Sequence, residues 1–473
     1  MTEEERLKFD LSAKLLKLMQ DEKIPFEKRQ GKMDYLIRVG ADVNTKVFGK
    51  TMALWAKELG DERAIQYVKE NKGIEESISK EEAENLGNKF WDEDGKIKSV
   101  NKIKDLVIQG ANLGVKNKGY NQIWKDLSED EINEVVKILP KGYVIDGDVD
   151  LNKKCLTKLP DFSKIKIGGS FVCSCNQLTS LNGAPSEVGE NFYCFENQLT
   201  TLEGAPSKVG ESFYCFENQF TSLKGAPNEV GENFDCRENQ LTSLEGAPRE
   251  VGRNFSCNEN RLTSLRGAPN EIKGNFMCHY NKLSSLEGAP SKVGGDFLCR
   301  NNQLTTLEGA PSEVGGNFSC NENRLTSLRG APSKVEGDFG CNENQLTTLA
   351  GAPRVVGGNF DCRYNQLSSL KGAPSEVKGN FACSKNQLTT LEGAPNKVGG
   401  GFFCSGNQLT TLEGAPSEVG RSFWCNENQL ISLKGKPEKI GGDFNIESEV
   451  RKRLESQDMA LKKVIEEKKV GKL

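Results

Sequence analysis

From residue 171 to residue 444 the chain repeats one order of apolar and polar positions at a fixed step of 21. Phenylalanine stands at 171, 192, 213, 234 and every twenty-first residue up to 444. Cysteine keeps that step from 173 to 425, and asparagine from 176 to 428. A short, unbroken period means a solenoid, in which each repeat is one coil that buries its apolar side chains by stacking on the next. The alternation around Phe192 and Cys194 predicts a strand with those two side chains inward and Asn191, Tyr193 and Phe195 outward. Asn197 is expected to turn inward at the strand end and to bond the backbone of neighbouring coils through its amide, forming a ladder. Leu199 and Leu202 refill the core, and Val209 closes the far side. The stretch from Gly204 to Gly210 carries Pro206 and is too short for a helix, so it should be extended or a single tight turn.

The ends of the array depart from the pattern, as stacked coils with only one neighbour require. At the start Val149 and Leu151 replace Phe and Cys, and Lys154 replaces Asn. At the finish Ile446 and Glu449 stand in the Cys and Asn positions. The span predicts about 15 strands at the observed step. Val450, Leu454, Leu461, Val464 and Ile465 predict a helix over 448–473 that covers the open end. Before the array, Leu7, Leu11, Leu15 and Leu18 predict an amphipathic helix over 4–20. Two later stretches share a shape: Leu36 to Asn44 followed by Gly49 to Ala56, and Leu106 to Leu113 followed by Gly119 to Trp124.

Written as a template, the repeat is x-Phe-x-Cys-x-x-Asn-x-Leu-Thr-Thr/Ser-Leu-x-Gly-Ala-Pro-x-x-Val-Gly-x. It resembles the leucine-rich repeat, in the short, Pro-containing form of secreted bacterial effectors and of similar bacterial and phage proteins. That resemblance implies a slender, curved solenoid with a parallel sheet on its concave face. In the N-terminal region, a helix ending in Gly-Ala-Asp/Asn, then a polar turn, Gly and a new helix resembles the ankyrin repeat. There Thr51 would cap a helix to about Leu59, with 61–71 as its antiparallel partner. The expected architecture is α+β: a helical, ankyrin-like domain over 1–140, a leucine-rich-repeat solenoid over 143–447, and a capping helix over 448–473.

Charge and composition narrow the chemistry. The 63 basic and 67 acidic residues leave a net charge of −4, which does not suggest a nucleic-acid binder. No apolar run approaches the ~20 residues of a membrane span, and the acidic start lacks the features of a secretory signal. A cytoplasmic location is expected, with delivery into a host cell left open. Of the 15 cysteines, 13 share one register position. Parallel thiols ~4.8 Å apart on adjacent strands are poorly arranged for disulfides, and inward Phe and Leu flank them without histidine. Reduced core thiols, no metal and no cofactor are therefore expected. Gly49-Lys50-Thr51 echoes a phosphate-binding loop, but Asn44 stands where its first glycine belongs. Asp92 to Gly95 echoes a calcium loop, but Ile103 stands at its twelfth position. The single histidine, His279, adjoins Cys278, and consecutive strand residues face opposite ways, so they form no nucleophile–base pair. Some effectors with similar repeats carry a C-terminal ubiquitin-ligase domain with a catalytic Cys; about 25 residues follow this array, none of them Cys, so that activity is not carried over. No catalytic residue is assigned, and an enzyme is the least expected reading.

The core positions Phe192, Cys194, Asn197, Leu199 and Leu202 recur almost unchanged, so recognition can reside only in outward positions that vary. Tyr193, Phe195, Tyr214 and Phe216 form an aromatic block. Arg237, Arg300 and Arg363 recur every third repeat, with His279, Tyr280 and Tyr364 among them. Phe403 and Trp424 form a second apolar spot, and a stripe of Glu from Glu196 to Glu427 runs beside the aromatics. Exposed aromatics with arginine are the usual material of protein hot spots. The expected function is a protein-binding scaffold gripping a partner on the sheet, in a bacterial or phage host-interaction setting. The competing readings are a structural or adhesive repeat without a specific soluble partner, and an ice- or glycan-binding surface of Thr200-Thr201 pairs. The aromatic block could also be covered by the helical region, and Phe403 and Trp424 by the C-terminal helix.

Overall fold

The computed structural model describes residues 2–456 other than 22, 39–40, 60, 71–78, 93–96, 115–122 and 454–455. The chain divides into two compact units: Met1–Gln219 with Gly225–Val230, and Phe220–Lys224 with Gly231–Leu473.

The first unit opens with helices. Glu3–Met19 starts at a capping box in which Thr2 and Glu5 satisfy each other's backbone N–H groups. Its buried stripe is Ser12, Leu15, Leu16 and Met19, not the expected line through Leu7, which is 60% exposed. At 100° per residue those four share one face, whereas Leu7, Leu11 and Leu18 lie at or beyond its edge. Ser12 Oγ accepts the Asp42 N–H at 2.9 Å and so ties this helix to the loop beyond the next one, Phe26–Arg38. Met52–Leu59 and Glu62–Glu70 pack together where a helix pair was expected after Thr51. Val100–Ile108, Ile123–Asp126 and Glu129–Ile138 follow. The turn expected at Gly119 and most of the acidic loop after Asp92 lie outside the described residues.

These helices run into the first coil. The Trp124 ring meets Phe162 edge-on at 5.6 Å, and Phe162 meets Phe171 at 5.3 Å, so the core phenylalanine row continues into the helical region. Lys154, the residue in place of the first ladder Asn, sends its ammonium to the carbonyls of Lys125 (3.0 Å) and Leu127 (2.7 Å). A cation there satisfies carbonyls at a helix end that have no partner of their own.

Each coil then contributes to two rows of parallel strands. One is built from strands such as Phe192–Tyr193; the first unit holds four of these, from Val149–Asp150 to Phe213–Tyr214, and the second eleven, from Phe234–Asp235 to Phe444–Asn445. The other row, of valine strands such as Lys208–Val209 and Lys397–Val398, falls into two sheets, one of six strands and one of nine. The segment expected to be extended or a single tight turn makes a tight turn and then a short extended strand; that these strands pair into sheets of their own was not anticipated. Between the sheets the core is as expected. The repeat Phe, Cys and Leu side chains are buried, and successive Phe rings stack, as at Phe192–Phe213 (5.0 Å) and Phe381–Phe402 (5.3 Å).

The inward Asn forms the expected ladder. Asn281 Nδ2 donates to the carbonyls of Cys257, Cys278 and His279 at 3.0–3.2 Å, while its Oδ1 accepts the Leu262 N–H at 2.9 Å. One amide thereby fastens its own coil to the one before it. A second ladder was not foreseen. In many coils the side chain before Phe accepts the backbone N–H of its counterpart in the next coil, as in Asn359 Oδ1 to Asn380 N (2.8 Å) and Asp338 Oδ1 to Asn359 N (2.7 Å); Gly401, without a side chain, breaks the row.

The Gly of Gly-Ala-Pro is obligatory. At Gly309 φ is +89°, and an added Cβ would lie 2.6 Å from the Leu286 carbonyl carbon of the preceding coil. The glutamates of the expected acidic stripe also sit in left-handed backbone, with φ of +50 to +56° from Glu196 to Glu343. They are turn residues first. After the last strand a helix covers 448–453, where Arg453 donates to the Leu430 carbonyl at 2.7 Å; its expected continuation lies outside the described residues.

Candidate docking surface

The alternation that buries Phe and Cys presents the residues between them on the outer face of the phenylalanine sheet. In the first unit this face carries an aromatic strip. Tyr193 stacks on Tyr214 at 5.1 Å, Phe195 on Phe216 at 4.5 Å, and Tyr193 meets Phe195 edge-on at 6.3 Å. All four rings are half-buried, while Cys194 and Cys215 beneath them are fully enclosed. The rings therefore pack on one another, with their edges toward solvent. Burial, the neighbouring Tyr214 and the carboxylates of Glu211, Asp148 and Glu190 push the Tyr193 phenol above its usual range.

In the second unit the outward row shrinks and then swells. From Leu298 it passes through Ser319, Gly340, Asp361 and Ala382 to Phe403 and Trp424, in register on successive strands. The small residues leave a groove of about 670 Å³ with Leu298 at one end and Phe403 and Trp424 at the other. Phe403 and Trp424 meet edge-on at 5.1 Å, and the Phe403 ring lies over Gly401, where a Cβ would meet its Cζ at 2.6 Å. Trp424 and Tyr364 are 45% and 53% exposed. The Asn321 side chain leans over Gly340, and its enclosed Oδ1 has no hydrogen-bond partner among the described residues.

The predicted arginines are less free than the spacing suggests. Arg363 holds Asp361 through paired hydrogen bonds of 2.9 and 2.7 Å, which keeps the guanidinium charged and fixes it at the groove wall. Arg237 lies 3.7 Å from both Asp235 and Glu238. Arg300 stacks over Tyr280 at 5.3 Å, and His279 meets the same ring at 5.5 Å. Burial first, then the adjacent Arg300, lowers the His279 pKa. The three arginines thus sit in separate settings, and the structure brings only Arg363 together with Tyr364, Phe403 and Trp424, at one groove.

The core thiols offer no nucleophile. None of the 15 cysteines is in a disulfide, and enclosure in the core raises the Cys278 thiol far above its ordinary range, holding it protonated. Among the described residues no group of three or more His, Cys, Asp or Glu gathers to hold a metal ion, and no helix is long and apolar enough to cross a membrane. The second hydroxyl of the Thr/Ser pair caps its own turn, as Thr306 Oγ1 accepts the Glu308 N–H at 3.1 Å. The groove itself was missed by reading the large residues alone. Its signal is a run of small outward residues (Ser319, Gly340, Ala382) four positions before each ladder asparagine.

No family model matches the chain, and no curated protein does. Among solved structures, YopM from Yersinia enterocolitica WA-314 aligns at 24% identity with a TM-score of 0.47, over 63% of this chain and 64% of that one. The chain thus covers less than two thirds of that protein's length. A structure described as YopM, a leucine-rich effector protein from Yersinia pestis, aligns at 20% identity with a TM-score of 0.41, over 64% and 88% of the two chains. The coil's own geometry carries the conclusion: parallel strands at a 21-residue step, inward Leu and an asparagine ladder are those of a leucine-rich-repeat solenoid.

Proposed function

We propose that this chain is a protein-binding scaffold whose partner seats on the outer face of the phenylalanine sheet, over Arg363, Tyr364, Phe403 and Trp424. The observation that carries this reading is the groove between Leu298 and Trp424. A cleft of that size, with aromatic walls, a fixed guanidinium and an unpaired amide oxygen, supplies an anchor pocket and a polar rim. The thirteen thiols of the repeat register are enclosed in the core, which favours binding over catalysis there. A bacterial or phage host-interaction setting is expected from the repeat type.

The test is affinity capture from the source cell with the wild-type chain and with F403S/W424S. A partner held by the wild type and lost from the variant, at unchanged thermal stability, is the expected result. Equal capture by both would end the reading. Absence of any partner would favour the structural or adhesive role.

A further inference from the structure

The aromatic strip of the first unit lies in a stretch of chain with an unusual charge balance. Between Lys166 and Lys224 the sequence holds six glutamates and one basic residue, Lys208. Lys208 belongs to the valine sheet, where it is ion-paired with Glu229 at 3.0 Å, and Glu187 is paired with Lys166 at 2.8 Å on that same sheet. The outer face of the phenylalanine sheet therefore keeps carboxylates with no cation among them in these two coils. Glu190 and Glu211 stand on one side of the four rings, and Glu196 and Glu217 on the other; all four are exposed. Their hydrogen bonds are to neutral groups: Glu190 accepts from Ser170 Oγ at 3.2 Å and Glu211 from Asn191 Nδ2 at 2.7 Å.

Half-exposed ring edges bordered on both sides by carboxylates match one side-chain chemistry closely. The stems of Lys and Arg lie along apolar surface, and their charged heads reach past it to acidic groups. Acidic segments, phosphate backbones and anionic membrane surfaces would meet repulsion here.

We infer that Tyr193, Phe195, Tyr214 and Phe216, with Glu190, Glu196, Glu211 and Glu217, form a docking strip for a cationic protein segment rich in Arg or Lys. The inference rests on reading this sheet as a docking face, and it assigns a second surface with an occupant of stated charge. The left-handed backbone at Glu196 and Glu217 fixes the direction in which those two side chains leave the strand end.

The probe is a fluorescein-labelled octapeptide of alternating Arg and Leu, with its alternating Glu and Leu counterpart, titrated against the full chain by anisotropy. The wild type should bind the cationic peptide, more weakly as salt rises, and should not bind the acidic one. E190Q/E196Q/E211Q/E217Q should weaken binding at least ~10-fold. E245Q/E287Q/E308Q/E392Q, which removes the same charge from the turn edge, should change it less than ~2-fold. Y193S/Y214S should also weaken it at least ~10-fold at unchanged charge, with melting monitored to establish folding. F403S/W424S should bind the peptide like wild type, so failure of the groove reading is separable from failure of this one. The inference is overturned if the two glutamine quadruples weaken binding equally, if Y193S/Y214S leaves it intact, or if the wild type does not bind.

Discussion

Two asparagines six residues apart in one coil do different work, and the difference is chemical. Asn386 Nδ2 donates to the carbonyls of Cys362, Cys383 and Ser384, while its Oδ1 accepts the Leu367 N–H at 3.0 Å. It needs a donor and an acceptor at once, so only an amide fits; every rung of that ladder from 176 to 428 is Asn. Asn380 Oδ1 accepts the Gly401 N–H at 2.7 Å, a task a carboxylate performs as well. The chain makes that exchange itself at Asp296 and Asp338. N386D should therefore cost roughly 3 kcal/mol or more, because a carboxylate would face three enclosed carbonyl oxygens. N380D should stay within ~0.5 kcal/mol of wild type. Equal denaturant midpoints for the two would refute the assignment. Gly309 makes a comparable demand through backbone alone: G309A places a methyl against the Leu286 carbonyl at positive φ and should lower stability by ~2–3 kcal/mol in the same measurement.

At the scale of the element, the valine sheet is held in register partly by charge. Its outward row mixes Lys and Glu, and neighbours pair across strands: Lys397 and Lys439 reach Glu418 at 2.9 and 2.7 Å. Hydrogen bonds first from Lys439 and then from Lys397 lower the Glu418 pKa from 4.5 to about 2. Because the folded value lies below the unfolded one, the contribution is present above pH 4.5 and is lost as pH falls toward 2. E418Q should lower the denaturation midpoint slightly above pH 4.5, where the paired carboxylate contributes, and converge on wild type as pH falls toward 2, so that its fall across that window is shallower. A variant that falls as steeply as wild type would show the pairing to be inert. This sheet also marks the limit of what the chain discloses in one dimension. Phe192, Cys194 and Leu199 could be placed inward because alternation and period specify a face. Lys208–Val209 could not be recognised as a strand, since two residues carry no alternation and their pairing partners lie 21 positions away. The candidate surface divides in the same way: Tyr193 and Trp424 were legible as large outward residues. The groove, made by the smallness of Ser319, Gly340 and Ala382, becomes visible only when strands stand side by side.

For the molecule as a whole, the open question of any solenoid is what covers its first coil, since an uncovered end exposes the core row to water. Here the helical part of the first unit does so. Trp124 is fully buried against Phe162, which continues to Phe171 and so to the stacked phenylalanines. Backbones also approach closely: a Cβ on Gly114 would fall on the Gly147 main chain, and the Tyr143 hydroxyl donates to the Ala111 carbonyl at 3.2 Å. The helical region therefore works as part of the solenoid's fold, whatever else it binds. W124A should cost ~3–5 kcal/mol, the usual penalty for emptying an enclosed indole site. Its effect should be graded, because coils transmit stability mainly to their neighbours. Amide exchange followed by mass spectrometry should quicken most for 149–178 and progressively less for later coils. Uniform acceleration along the chain would mean that the array opens as a single cooperative block. No acceleration at 149–178 would mean that Trp124 is not what closes the first coil.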